Sequence, residues 1–209
     1  MIIPVCTVLT IFNSRECVLN SLEILKKRLM QMAFLGVILA GGKSERMGRD
    51  KATMQWQGES WLSHMASLLK TAGAKEVIVC GREAPPYVFL PDIYPNAGPL
   101  GGIHAALRYS LSVHQLPLLI VPVDIPSATA EDLVTLVQHS NKAEAVTYKR
   151  SPLPIYLNAD ASQLTNLEAI LNNDTMNNAI HHWLENVLHF ELPVSPPFKN
   201  INRLSDLEA

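Results

Sequence analysis

The sequence predicts an α/β protein, with a mostly parallel central sheet covered by helices on both faces. Three observations carry this. Continuous apolar, branched runs stand at Leu35–Leu39, Val77–Cys80 and Leu116–Val123, the pattern of strands buried on both faces. Segments with apolar residues three and four apart alternate with these runs, as helices crossing between parallel strands would. Of 209 residues, 48% are hydrophobic and 17% charged, so there is enough apolar material for one packed core and too little charge for a disordered chain.

The elements follow in order. Met1–Phe12 is apolar but shorter than the roughly 18 residues of a membrane-spanning helix. Its basic cluster (Lys26, Lys27, Arg28) follows the apolar run instead of preceding it, unlike a secretory signal. Val18–Met32 carries Leu19, Leu22, Leu25, Leu29 and Met32 at helical spacing, so an amphipathic helix or a poorly ordered extension precedes the main domain; a start at Met30 or Met32 is a third reading. Leu35–Leu39 is the first buried strand and ends in Gly41-Gly42. A short strand, Met54–Trp56, leads to a Gln57-Gly58 turn, and Ser60 caps a helix to about Thr71 with Leu62, Met65, Ala66, Leu68 and Leu69 on its apolar face. Gly73 stops that helix before the strand Val77–Cys80. Tyr87–Leu90 is a short third strand, and the Pro/Gly-rich stretch Pro91–Gly102 leads into a helix over Ile103–Ser112. Leu116–Val123 is the most hydrophobic strand, and Thr129 caps a helix over Ala130–His139. Strands at Ala145–Tyr148 and Ile155–Leu157 bracket a proline-containing loop; helical patterns lie near Ser162–Leu171 and Met176–Asn186. A last strand spans Val187–Glu191, and Leu204–Leu207 begins a short helix. The expected division is an N-terminal extension, 1–33, and one domain, 34–209.

In such a sheet a ligand sits beyond the carboxyl ends of the strands. The first strand delivers Gly41–Lys51 there, the fourth delivers Asp124, and the connection after the third delivers Asp92 and Gly98–Gly102. Glycines, cations and carboxylates converging on one edge suit a nucleotide with a metal ion. The first loop, LAGGKSERMGRDK, matches neither a P-loop nor the dinucleotide fingerprint. Gly41 and Gly42 let backbone N–H groups approach phosphate oxygens, Arg46 can fork onto a phosphate, and Lys51 supplies a point charge. Asp124, between Pro122 and Pro126 at the end of a buried strand, is read as a Mg²⁺ ligand, with a turn-capping aspartate as the alternative.

These residues carry a resemblance. Leu39–Ala52 (LAGGKSERMGRDKA), Asn96–Gly102 (NAGPLGG), Val121–Ser127 (VPVDIPS) and Phe198–Leu207 (FKNINRLSDL) resemble, in order and spacing, the motifs of the molybdenum cofactor guanylyltransferase family of MobA-like nucleotidyltransferases. The similarity runs from about Phe34 to the C-terminus. It implies a three-layer, Rossmann-like nucleotidyltransferase fold. It also implies transfer of GMP from GTP to molybdopterin or Mo-molybdopterin, with loss of pyrophosphate. By position, the backbones of Leu39, Ala40 and Gly41 would contact the nucleotide, Arg46 and Lys51 would hold its phosphates, and Asp92 would hold the nucleoside. Gly98, Pro99 and Leu100 would shape the guanine pocket, Asp124 would bind Mg²⁺, and Asn200 and Asn202 would lie near the pterin or the metal. Catalysis would rest on Lys51, Arg46 and Asp124. Two departures stand out: Cys80 where the family often has Asn, and Arg203-Leu204-Ser205 in place of Thr-Pro-Glu.

Two alternatives keep the fold but change the substrates: a molybdopterin cytidylyltransferase and a sugar-phosphate nucleotidyltransferase. One of another class is a non-catalytic GTP-binding adapter that hands cofactor to molybdoenzyme apoproteins and their chaperones. His104 reads as structural, His181 and His182 lack a third metal ligand nearby in sequence, and Trp56 and Trp61 read as core. At Ser151–Pro154 (SPLP) the family often has His-Pro-Leu, so Arg150-Ser151 takes the place of the histidine. A net charge of −2 excludes a broadly basic duplex-binding surface, and no membrane span is expected. Three scattered cysteines (Cys6, Cys17, Cys80) fit reduced thiols in the cytoplasm.

Overall fold

The computed structural model describes residues 33–41, 55–56, 58–173, 179–193, 198 and 201. Within the unit Ala33–Ala209 the elements are β1 (Leu35–Leu39), β2 (Gln55–Trp56), β3 (Glu59–Ser60), α1 (Trp61–Thr71), β4 (Glu76–Cys80), β5 (Val88–Leu90), α2 (Pro99–Tyr109), a wider π-type turn (Ser110–His114), β6 (Leu118–Pro122), α3 (Ala130–Gln138), β7 (Ala145–Tyr148), β8 (Ser151–Leu157), α4 (Ala161–Leu171), α5 (Ile180–Leu184) and β9 (His189–Leu192). The expectations for 1–32, and for the closing helix at Leu204–Leu207, lie outside the described residues.

The main sheet has the order β5-β4-β1-β6-β8-β7-β9, while β2 and β3 form a separate hairpin. Every strand of the main sheet points the same way except β8, which is antiparallel to both β6 and β7. The expected mostly parallel sheet is therefore what forms. Alternation along β1 assigns the faces. Ile38 packs with α1 and α3 through Trp61, Met65, Leu69, Leu133 and Leu136, whereas Leu35, Val37 and Leu39 pack with α2, α4 and α5 through Ile103, Leu107, Leu167 and Trp183. With both faces covered, every residue of β1 is buried.

Local chemistry explains the element boundaries. Ser60 Oγ accepts from the Ser63 N–H at 3.1 Å and starts α1, and Gly73, at φ 102°, follows its end. Thr129 and Asp132 form a reciprocal capping box at the start of α3. Three expectations shift. The helix read over Ile103–Ser112 starts four residues earlier, at Pro99: a proline suits the first helical position, and Gly101 and Gly102 are there for close packing, not for a loop. A Cβ at Gly102 would lie 2.7 Å from Leu39 Cδ2 and 3.1 Å from Cys80 Cβ. Next, β8 starts at Ser151, not Ile155. Its prolines are accommodated because pairing with β6 runs only from Ile155 to Leu157 and the β7 register shifts at Thr147/Tyr148. Last, the final strand lies at His189–Leu192, a residue or two beyond Val187–Glu191.

Candidate functional site

Because β1, β4, β5, β6 and β7 run in the same direction, their carboxyl ends (Leu39, Cys80, Leu90, Pro122 and Tyr148) share one edge of the sheet. The chain leaves β1 towards α1 on one face and leaves β5 towards α2 on the other. β1 and β5 flank β4 in the sheet, so their connections part to opposite faces over the end of β4 and open a crevice there. The crevice lies at Gly41 and Gly81.

Its floor is backbone against backbone. Ala40 N–H donates to the Cys80 carbonyl at 2.9 Å, and Val123 N–H donates to the Leu39 carbonyl at 3.1 Å. Each carbonyl oxygen keeps a second lone pair. Gly81 has φ 90°, and a Cβ placed on it would sit 2.4 Å from Gly41 Cα. Only glycine fits there, on grounds of both conformation and space. Gly81 went unremarked in the sequence, although a glycine directly after the buried run Val77–Cys80 is a signal of close backbone approach.

Asp92 reaches into the same crevice. Cβ atoms built at Gly41, Gly101 and Gly102 would lie 3.9, 3.5 and 3.9 Å from its carboxylate atoms. Its carboxylate thus lies close to the glycine after β1 and to those in the first turn of α2, and its partial desolvation there raises its pKa. Gly98 has φ 62° and ψ −146° and precedes α2, a region open to glycine almost alone. Pro99 is exposed at the helix start, and Leu100 is fully buried in the core, so any share Leu100 takes in a pocket comes from its backbone. The structure thus brings Leu39, Ala40, Gly41, Asp92, Gly98, Pro99 and Leu100 to one place.

Cys80, the residue that departs from the family pattern, is buried beneath this cluster. Burial, and then the negative charge of Asp92, push its thiol up to about 12. It packs as a small apolar side chain.

Asp124 lies just past β6, half-buried, one residue beyond the Val123–Leu39 hydrogen bond. Its carbonyl accepts from Ile201 N–H at 2.9 Å, which ties the C-terminal segment to this edge. Phe198 stands edge-on to Tyr148, with ring centroids 5.1 Å apart. Arg46, Lys51, Asn200 and Asn202 lie outside the described residues. Among the described residues no three His, Cys, Asp or Glu side chains form a metal cluster.

His104 takes the structural role expected of it. It is 1% exposed, its Nε2 lies 3.2 Å from Glu168 Oε1, and Tyr94 stands edge-on to its ring at 4.9 Å. Trp61 is fully buried in the core.

The model of the MobA-like NTP transferase domain matches residues 36–187. The molybdenum cofactor guanylyltransferase of Xanthomonas euvesicatoria pv. vesicatoria is 37% identical over 159 residues, covering 75% of this chain and 82% of the relative. The molybdenum cofactor guanylyltransferase of Rhizobium johnstonii is 30% identical over 185 residues, covering 82% and 88%. In three dimensions the chain superposes on the molybdopterin-guanine dinucleotide biosynthesis protein A of Archaeoglobus fulgidus with a TM-score of 0.68 at 22% identity, covering 84% of this chain and 95% of that one, a likeness of fold. With its parallel sheet and its glycine-lined crevice at the strand ends, the chain belongs to the MobA-like NTP transferases, in the molybdenum cofactor guanylyltransferase family.

Proposed function

We propose that the chain transfers GMP from GTP to molybdopterin or Mo-molybdopterin, forming the guanine dinucleotide and releasing pyrophosphate. The observation that carries this reading is the meeting of Asp92, the Gly41–Gly81 floor and the Gly98 turn in one crevice, in a chain with relatives of that name.

The acceptor's terminal phosphate oxygen attacks the α-phosphorus of GTP. A P–O bond forms there as the bond to the β-phosphate bridge breaks, and pyrophosphate carries away the electron pair. The attacking group is already an anion, so no protein nucleophile is needed; positioning and charge stabilisation carry the rate. The backbones of Leu39, Ala40 and Gly41 seat the nucleotide, and Asp92 accepts hydrogen bonds from the nucleoside. Gly98, Pro99 and Leu100 wall the base. By their positions in the family motifs, Arg46 and Lys51 are assigned to the phosphates, and Asn200 and Asn202 to the pterin or the metal. Asp124 fits a Mg²⁺ ion: a hard oxygen donor at a strand end, with phosphate and water left to fill most of the shell. When bound, the ion neutralises phosphate oxygens.

The same reading assigns catalysis to 34–209 and leaves 1–33 as an extension. It places the enzyme in the cytoplasm, with its product passing to molybdoenzyme apoproteins or their chaperones. No helix among the described residues is long and apolar enough to cross a membrane.

The test is incubation with molybdopterin, Mg²⁺ and each NTP, reading out pyrophosphate and dinucleotide. GTP is expected to be the best substrate, and faster turnover with CTP would overturn the base assignment. Tight GTP binding without pyrophosphate release would favour the adapter. Lys51→Ala and Asp124→Ala should each abolish transfer while thermal melts stay cooperative; full activity in either removes that residue's role.

A further inference from the structure

Arg150 is one of three non-glycine residues with positive φ in the described chain, at 63°. It is the second residue of the two-residue turn Lys149–Arg150, closed by pairing of Tyr148 with Ser151. That position of a tight turn favours glycine or asparagine, and an arginine there carries backbone strain. Strain of this kind persists where the surroundings hold it, and they do here. Lys149 N–H donates to the Leu192 carbonyl at 2.7 Å, Tyr148 Oη donates to the Asp132 carbonyl at 2.8 Å, and Phe198 packs on the Tyr148 ring.

The turn is also well placed. β7 runs with β1 and β6, so its end points to the ligand edge. β8 lies between β7 and β6, so the turn stands on the β6 side of β1, with Arg150 next to the Tyr148–Ser151 pair. Arg150 is exposed, and among the described residues no carboxylate pairs with it. At this edge the described carboxylates include Asp92, Asp124 and Glu191, whereas the ligands are polyanions that need cations.

We propose that Arg150, held by the strained turn at the end of β7, binds the phosphate of the anionic acceptor and so sets acceptor affinity, not donor affinity. This rests on the transferase reading above, but it is separable from it by experiment. The guanidinium forks onto a phosphomonoester, while Lys149 adds charge without defined geometry.

The test compares Arg150→Gly and Arg150→Lys with the wild type. Glycine relieves the strain, so R150G should melt at the wild-type temperature or above it. Its molybdopterin Kd should nonetheless rise by about tenfold or more, the usual consequence of losing a charge-assisted phosphate contact. The KM for GTP should stay unchanged, and R150K should recover part of the acceptor affinity. A merely structural arginine would move stability and affinity together. Equal acceptor Kd in wild type and R150G, or a parallel rise in the KM for GTP, overturns the assignment, as does a wild type that does not bind molybdopterin. If the wild type binds molybdopterin, R150G binds it more weakly, and no nucleotide is transferred, Arg150 stands and the transferase reading falls.

Discussion

Replacing Gly81 with alanine tests whether the crevice floor is built from backbone contact. A Cβ at Gly81 would lie 2.4 Å from Gly41 Cα and 2.5 Å from Gly41 N. Carbon atoms in contact sit at about 3.5–4.0 Å, so Gly41 must retreat by roughly 1 Å. Both partners are main chain, and the neighbouring Ala40–Cys80 hydrogen bond at 2.9 Å resists the move. The φ of 90° adds about 1–2 kcal/mol of left-handed strain. Overpacking adds about 1–3 kcal/mol. A loss near 3 kcal/mol lowers Tm by roughly 6–12 °C in a chain of this size. Shifting a ligand-facing backbone by an ångström costs about a hundredfold in kcat/KM. Gly58→Ala is the control, because Gly58 has φ 92° but no atom within 4 Å of its Cβ position. It should show the strain alone, about 1–2 kcal/mol, with catalysis unchanged. Thermal melts and GTP-dependent pyrophosphate release measure both variants. A G81A protein with wild-type Tm and kcat/KM would refute the close-contact argument. Equal losses of activity in G58A and G81A would show that the Gly41 contact is not the cause.

Thr129→Ala removes the capping box of α3. It should cost about 1 kcal/mol, or some 2–4 °C in Tm, with kcat/KM for GTP intact; a change in kcat/KM would mean that α3 does more than support the sheet. Cys80 predicts a pH dependence of stability. In the unfolded chain a thiol ionises near its ordinary value of about 8.5, whereas in the fold burial and Asp92 push it up to about 12. As the pH rises, the unfolded chain loses this proton first. The stabilisation is therefore complete below the ordinary thiol value and is lost towards pH 12, at about 1.4 kcal/mol per unit. Urea melts at rising pH should show this slope in the wild type and a shallower one in Cys80→Ala, where the tyrosines still contribute. Parallel curves would contradict the burial of the thiol.

What could be read from residues alone divides along a physical line. Hydrophobic runs such as Leu35–Leu39 are legible because burial on both faces leaves no room for polar positions, and the strand-end rule then collects Gly41, Asp92 and Asp124 at one edge. Pro99–Gly102 reads as loop from the sequence because glycine and proline mark loops by default; here Gly102 lets α2 lie against Leu39 and Cys80. The start of β8 is hidden for a similar reason. Prolines argue against a strand until the register shift that tolerates them is known, and that shift is a property of the partner strand. Gly81 is silent in the sequence because its role is a contact with Gly41, forty residues earlier in the chain. Nothing local to Gly81 names that partner.

The reversal of β8 has a consequence for the site. Parallel strands must return through long crossovers, so the connections they place at the ligand edge are long segments such as 91–98. An antiparallel neighbour can be reached by a two-residue turn that never leaves that edge. β7 and β8 are joined in this way, and the turn carries Lys149 and Arg150. The two modes suit different tasks. A long loop can wrap a triphosphate with many backbone groups, whereas a tight turn anchored at Tyr148 and Leu192 holds its backbone with little freedom. A transferase has to bring two ligands into line. On the proposed reading of the site, the β1–β4–β5 half of the sheet takes the donor and the β8–β7 turn the acceptor. The Val123–Leu39 hydrogen bond keeps the two halves in register.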